Sequence, residues 1–503
     1  MTRPGESDEG EPLPEYDASA SVRRQRLPLR LDPERVFEAL YADETRAFWL
    51  DPGIHADTGS SYLGAASPVR PSYLVDQERL YDLRPGVVMP AEGTLDAALR
   101  SQSRGAAPGA WSHEAVGADR GSRSADGGAS AAPPSPIGWV GWFGYEYGAR
   151  RLAISVARSE VPEAAMLFAD RVIEIDHRDG GLFLWFFDDA DGRAWAAVTS
   201  ERLRSMARGR PPWAGRASGC DQKLPDVPAP SSRPNWRHSG DAYLRMIEAC
   251  QDSIRAGDAY QLCLTNSVQV ATEAPPFDVY RRLRRISQAT HGAFVRVDDV
   301  AVLSASPELF LQVAGRVAVT RPVKGTRRRG RDAAEDRELS RELAADEKER
   351  AENLMIVDLM RNDLARVATV GGVSVPELLE VETHRHVHQL VSTVRAELAD
   401  GVDVLDVVDA CFPAGSMTGA PKLSAMGILH DLERGPRGVY SGCLGRLGLD
   451  GSAELAMVIR TIVMRDGMAS VGTGGGITAL SVAQNELAET ELKAAAPLAA
   501  LGI

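Results

Sequence analysis

No stretch of this 503-residue sequence approaches the roughly 18 consecutive apolar residues that a membrane-crossing helix needs. The N-terminus, Met1-Thr2-Arg3-Pro4-Gly5-Glu6, also lacks the apolar core of a signal peptide, so a cytoplasmic location with no membrane partner is expected. Basic residues are in deficit. Lys and Arg number 57 against 70 Asp and Glu, and the net charge of −13 has the wrong sign for a nucleic-acid surface. Cysteine is scarce too: Cys220, Cys250, Cys263, Cys411 and Cys443 are odd in number, show no metal-ligand spacing and have no evident activating base. Buried, reduced thiols are expected. No repeat at a solenoid period is visible.

What is present is the makeup of a folded core, with 44% hydrophobic and 25% charged residues. Residues 1–30 are acidic and turn-rich without apolar period, which predicts a disordered tail. From 31 to 208 short apolar runs alternate with turns, as strands and connecting helices would. Residues 101–137 inside that region are Ser/Ala/Gly/Pro-rich and read as a mobile insertion. A second such stretch, 209–236, reads as a linker to a unit spanning 237–503. There Ser239 is placed to cap a helix bearing Tyr243, Ile247 and Ile254, and Gly257 to stop it. Strands follow from Ala259 and within 293–324, then a long helical region over Asp332–Arg366. A further helix is predicted where Val387, Leu390, Val391 and Val394 share a 3.6-residue period. Strands and helices without a regular βαβ rhythm indicate an α+β fold.

Several stretches carry chemistry. Residues 469–473 read as a strand end, after which Gly474, Gly475 and Gly476 expose backbone N–H groups that suit a small anion. The helix beyond puts Glu486, Glu489 and Lys493 on one face, and Glu349 and Glu352 form a second helical pair. Hard carboxylate donors beside an anion cradle fit a Mg²⁺-assisted site, although a Gly-rich turn before a solvated helix fits the same residues. Lys324 lies between Pro322 and Gly325, where desolvation would lower its pKa enough for a nucleophile; a lysine packing its stem at a turn is the plainer alternative. The loop from Phe412 to Lys422 offers Ser416, while His388, Tyr440 and Arg460 are polar positions in otherwise apolar surroundings.

Together these stretches resemble the chorismate-utilising enzymes, most closely their aminodeoxychorismate synthase component I branch. The resemblance is dense from about 239 to 496. It is carried by Gly257-Asp258-Ala259-Tyr260-Gln261, Ser306-Pro307-Glu308, Lys324-Gly325-Thr326, Glu352 to Asp363 and Gly415 to Lys422. It implies a large two-sheet α/β sandwich whose N- and C-terminal halves share a core. It also implies Mg²⁺, ligated by Glu352 and Glu489 with Glu349 and Glu486 in support, holding the ring carboxylate of chorismate. Tyr440, Arg460 and the backbone at Gly474, Gly475 and Gly476 would hold the enolpyruvyl carboxylate, with Gln261, Thr326, Ser416 and Lys493 lining the ligand. Glu308 matches the general acid for the C4 hydroxyl, His388 a histidine near the ring, and Lys324 the nucleophile that attacks C2.

Two positions divide the family by reaction. Gln261 stands where water-adding members carry a lysine base, and Lys324 stands where anthranilate-forming members carry alanine. The reaction implied is amination of chorismate to 4-amino-4-deoxychorismate, for 4-aminobenzoate and then folate or a secondary metabolite. Ammonia is expected from a separate glutamine amidotransferase subunit, because no cysteine here lies in a Gly-x-Cys-x-Gly turn. Anthranilate synthase component I is the enzymatic alternative, and a non-catalytic ligand-binding regulatory subunit is the alternative from another class.

Overall fold

The computed structural model describes residues 21–103, 134–208, 226–287, 289–385 and 387–503. Most of the expected insertion (104–133), most of the expected linker (209–225) and residues 1–20 therefore lie outside the described residues.

The short apolar runs pair into two twelve-stranded sheets. One runs from Val22–Leu27 through Leu182–Phe187, Arg171–Asp176, Ser60–Ala65, Arg46–Asp51, His291–Val297, Val300–Ser306, Thr461–Arg465, Met468–Ile477 and Gln261–Ala271 to Asn235–Trp236, with Gly419–Ala420 also paired to Gln261–Ala271. The other begins at Val323–Arg328, Val387–Leu398, Val317–Thr320 and Leu309–Ala314. It continues through Ala453–Met457, Cys443–Gly448, Gly138–Phe143 and Ala164–Ala169 to the meander Ser72–Asp76, Arg79–Arg84 and Val87–Ala91, with Ala368–Thr383 also paired to Val387–Leu398. Both sheets join early to late chain by antiparallel pairing: Phe48 lies opposite Val295, and Gly141 opposite Gly445. Neither half completes a sheet alone, and the fold is the two-sheet α+β arrangement with a shared core.

One buried cluster gathers Trp139, Trp142, Phe143, Phe168, Phe310 and Phe412 with Ile356 and Met360 of the helix Glu347–Ala365. A second joins Phe37, Trp49 and Phe294 to Phe277 and Tyr280 of the helix Pro276–Ile286. Each such side chain contributes about 1.5–3 kcal/mol by leaving water, so the platform beneath the chemistry is stiff. Local signals held where capping chemistry is explicit. Ser239 accepts from Ala242 N and Gly257 ends that helix at φ +85°.

Four expectations are corrected. The tail predicted over 1–30 includes the strand Val22–Leu27, which pairs with Leu182–Phe187 through its apolar ends. The predicted helix around Val387 is the strand Val387–Leu398. Its apolar spacing fits either period, and β-branched residues with three neighbouring strands decide the matter. The glycine run is not a turn but the end of the strand Met468–Ile477, in register with Gln261–Ala271. The last part of the expected linker, Asn235–Trp236, is an edge strand.

Candidate active site

The helix Glu347–Ala365 starts at Asp346, whose side chain accepts from Glu349 N at 3.1 Å. Asn353 fastens it to the sheet by donating to Pro322 O and Leu390 O and accepting from Ser392 Oγ. Its neighbour Glu352, 7% exposed, is thereby held over the strand Val323–Arg328. That strand bulges: its pairing slips between Lys324 and Thr326, with Gly325 at φ +76°. The bulge aims Lys324 at the helix, and Lys324 Nζ lies 3.8 Å from Glu352 Oε2. A Cβ at Gly325 would stand 3.1 Å from the Glu349 carboxyl carbon, so the glycine also makes room for the second acid.

The glycine strand forms the opposite wall. Thr461–Arg465 pairs with it only as far as Val471, which leaves one edge of the following glycines without a neighbouring strand among the described residues. Gly474 O accepts from Lys493 Nζ at 3.0 Å. A Cβ would lie 2.3 Å from Leu264 O at Gly474, 3.3 Å from Glu486 Oε2 at Gly475, and 2.2 Å from Gln261 Nε2 at Gly476. Bare backbone is what lets this strand run against carboxylates.

From the helix Ala483–Ala500, Glu486 accepts from Lys348 Nζ at 2.8 Å and from Ser481 Oγ at 2.7 Å, and Glu489 pairs with Lys493 at 2.8 Å. Burial pushes the Glu352 carboxyl up against the pull of Lys324 and Lys348, and burial with the Glu352 charge does the same for Glu349. At Glu489 burial is outweighed by Lys493 and the pKa falls. Lys324 departs from expectation. Burial favours its neutral amine, but Glu352, Cys263, Glu308 and Glu349 outweigh it and hold the side chain as an ammonium, with its pKa raised. Glu308 is the reverse case: burial lifts it to about 7 despite Lys324 and a hydrogen bond with Ser416.

Three further groups point to a ligand. Gln261 is fully buried, and both its amide atoms lack a partner among the described residues. Tyr440 lies flat against Gly472, where a Cβ would meet its ring at 2.1 Å. Arg460 takes φ +49°, and burial lowers its pKa with no carboxylate opposing among the described residues, an arrangement that suits an anionic ligand. Two expected residues stand apart. Thr326 is exposed at the bulge, and His388 sits on a strand with Nδ1 shared with Thr383 Oγ1 at 2.9 Å and Nε2 with Asp336 Oδ1 at 3.0 Å. A cavity of about 230 Å³ lined by Leu99, Trp139, Val313 and Leu405 contains none of the expected site residues.

Residues 91–499 match the model of the family described as chorismate binding enzyme. The chain belongs to the chorismate-binding enzyme family. Its relatives include the aminodeoxychorismate synthases of Streptomyces pristinaespiralis (39% identity, covering 96% of this chain and 66% of the relative) and Streptomyces griseus (39%, 94% and 63%). The chain thus spans slightly less than two thirds of the length of these curated relatives. Anthranilate synthase component 1 of Mycobacterium tuberculosis is 37% identical over 73% of each chain. In structure, the chain is similar to anthranilate synthase component I of Streptococcus pneumoniae, with TM-score 0.70, 26% identity, and coverage of 93% of this chain and 97% of that one. The menaquinone-specific isochorismate synthase of Escherichia coli shares the fold at TM-score 0.65 and 16% identity, over 96% of this chain and 95% of that one.

For a chorismate-binding enzyme the donor set suits Mg²⁺: Glu349, Glu352, Glu486 and Glu489 supply hard oxygens from two helices, and the charges of Glu486 and Glu489 raise the Glu352 pKa. Among the described residues, however, no three metal-ligating side chains converge as they stand. Lysines lie between them. Lys348 and Asn353 were not singled out by sequence; the available signal for Lys348 was its i,i+4 spacing to Glu352.

Proposed function

We propose that the chain aminates chorismate at C4 to give 4-amino-4-deoxychorismate, using Mg²⁺ and ammonia, toward 4-aminobenzoate for folate or a secondary metabolite. The observation that carries this reading is Lys324 Nζ 3.8 Å from Glu352 Oε2, with the buried Glu308 within the electrostatic reach of the same lysine. Names of the Streptomyces relatives support it.

Mg²⁺ held by Glu352 and Glu489 would supply the countercharge for the ring carboxylate. Arg460 and the unpaired glycine edge receive the enolpyruvyl carboxylate, and the Gln261 amide gains the partners it lacks. Once the Glu352 charge is engaged elsewhere, the field that keeps Lys324 protonated weakens, and burial then favours its free amine. The Lys324 nitrogen bonds to C2, and both conjugated ring double bonds shift toward C4. The C4 hydroxyl takes the Glu308 proton and leaves as water. Ammonia then bonds to C4, both double bonds return, and Lys324 departs from C2 as its amine.

Burial pushes Cys250 up to about 12 and raises Cys263, Cys411 and Cys443 as well, so none of these offers a thiolate for glutamine hydrolysis. A separate glutamine amidotransferase subunit is the proposed ammonia donor. The named anthranilate synthases keep formation of anthranilate as the second reading. Incubation with chorismate, Mg²⁺ and ammonium salt separates the two. The proposed product retains its enolpyruvyl group, whereas fluorescent anthranilate with released pyruvate would overturn the assignment. Glutamine alone should support no turnover.

A further inference from the structure

Lys348 belongs to the acidic cluster, yet no step of the proposed reaction uses it. Its Nζ reaches across from the helix Glu347–Ala365 to the helix Ala483–Ala500, 2.8 Å from Glu486 Oε1 and 3.8 Å from Glu352 Oε1. Both carboxylates are buried, with side chains 9% and 3% exposed, whereas the lysine side chain is 35% exposed at the cluster's outer end. Two carboxylates from different helices repel each other strongly where water is excluded. An ammonium between them cancels that repulsion in the ligand-free protein.

We propose that Lys348 is a resident counter-cation that ties the two acidic helices together and must withdraw when Mg²⁺ binds. The inference rests on the reading of Glu352 and Glu489 as metal ligands. Mg²⁺ binds its oxygens at about 2.0–2.1 Å, so an ion on Glu352 would stand within a few ångströms of the Lys348 ammonium, which lies 3.8 Å from the same carboxylate. Like charge sets the two in conflict. Partial exposure gives the lysine a way out, because its flexible stem can carry the charged head to solvent. Lys348 thereby lowers the affinity of the free enzyme for the ion and makes tight metal binding depend on the anionic substrate, whose charge offsets the cost of displacing the lysine. It is a positioning residue, acting through Glu352 and Glu486.

The test is metal binding by the full chain without chorismate, with Mn²⁺ followed by electron paramagnetic resonance and Mg²⁺ by calorimetry. Lys348→Met keeps length and removes charge, and it should bind either ion about tenfold or more tightly than wild type. In EDTA its Tm should fall below wild type and recover with Mg²⁺, while the wild-type Tm moves little. Equal or weaker binding by folded Lys348→Met overturns the proposal. Lys348→Arg covers the case in which the methionine variant does not fold: a charged fork is harder to displace, so it should bind Mn²⁺ no more tightly than wild type. Tighter binding there overturns it too. Glu489→Gln in each background should abolish binding, and if Mn²⁺ binds neither wild type nor Lys348→Met, the metal reading itself fails.

Discussion

Lys324 Nζ stands 3.8 Å from Glu352 Oε2, and this pair sets the charge state of the proposed nucleophile. In the ligand-free protein the carboxylate keeps the lysine protonated against its burial. In the proposed reaction, activation would follow whatever takes up the Glu352 charge, which would tie formation of the nucleophile to ligand binding.

Lys324→Ala should abolish formation of 4-amino-4-deoxychorismate, since free ammonia cannot replace a tethered amine. Product analysis by chromatography at saturating ammonium checks this. The original product at an unchanged rate would rule out covalent catalysis.

Glu308 predicts a pH profile. Its value of about 7 in the ligand-free chain makes it a competent acid below that pH, so kcat/KM, which reports the free enzyme, should fall as pH rises through about 7. Glu308→Gln should lower kcat roughly 10²-fold or more and erase that limb. The sign for stability is the same. Between the ordinary carboxyl value of 4.5 and about 7 the folded chain holds the extra proton, so stability declines across that window. The contribution is of order 3 kcal/mol, complete below the unfolded pKa and lost above the folded one. Denaturant titrations of wild type and Glu308→Gln from pH 4 to 8 would measure it, and parallel curves would contradict the assignment.

Arg460→Ala should raise the KM for chorismate about 10- to 100-fold, the loss of one charge-assisted contact to a carboxylate. Stability should not suffer. The removed guanidinium is desolvated with no carboxylate opposing among the described residues, so thermal melting should give a Tm equal to or above wild type. A marked fall in Tm would mean that the arginine is structural.

Gly474→Ala and Gly475→Ala form a matched pair. At Gly474 the new methyl would lie 2.3 Å from the backbone oxygen of Leu264, which cannot move without the sheet, so about 1–3 kcal/mol of stability should be lost. At Gly475 its nearest neighbour is the Glu486 carboxylate at 3.3 Å, and the cost should be smaller. Equal ΔΔG values in urea would contradict this account of the glycine strand.

Much of the site was legible before any coordinates. Helix caps such as Ser239 and Gly257, and carboxylates three residues apart on a helix, are local matters, and a local pattern survives folding. The motifs also proposed Glu308, Lys324, Glu352 and Glu489 as a set, of which Lys324 and Glu352 stand 3.8 Å apart. Tertiary structure decided whatever depends on a partner remote in the chain. Val387–Leu398 became a strand because three others flank it, and the tail residues Val22–Leu27 became one because Leu182–Phe187 needed a neighbour. The Lys324 charge was settled in the same way. Desolvation, foreseeable from sequence, lowers its pKa, but four groups brought in from separate elements raise it further than burial can offset. Lys348 is the plainest case: alone on its helix it is a surface lysine beside a glutamate, and only the arrival of Glu486, 138 residues away, makes it a bridge.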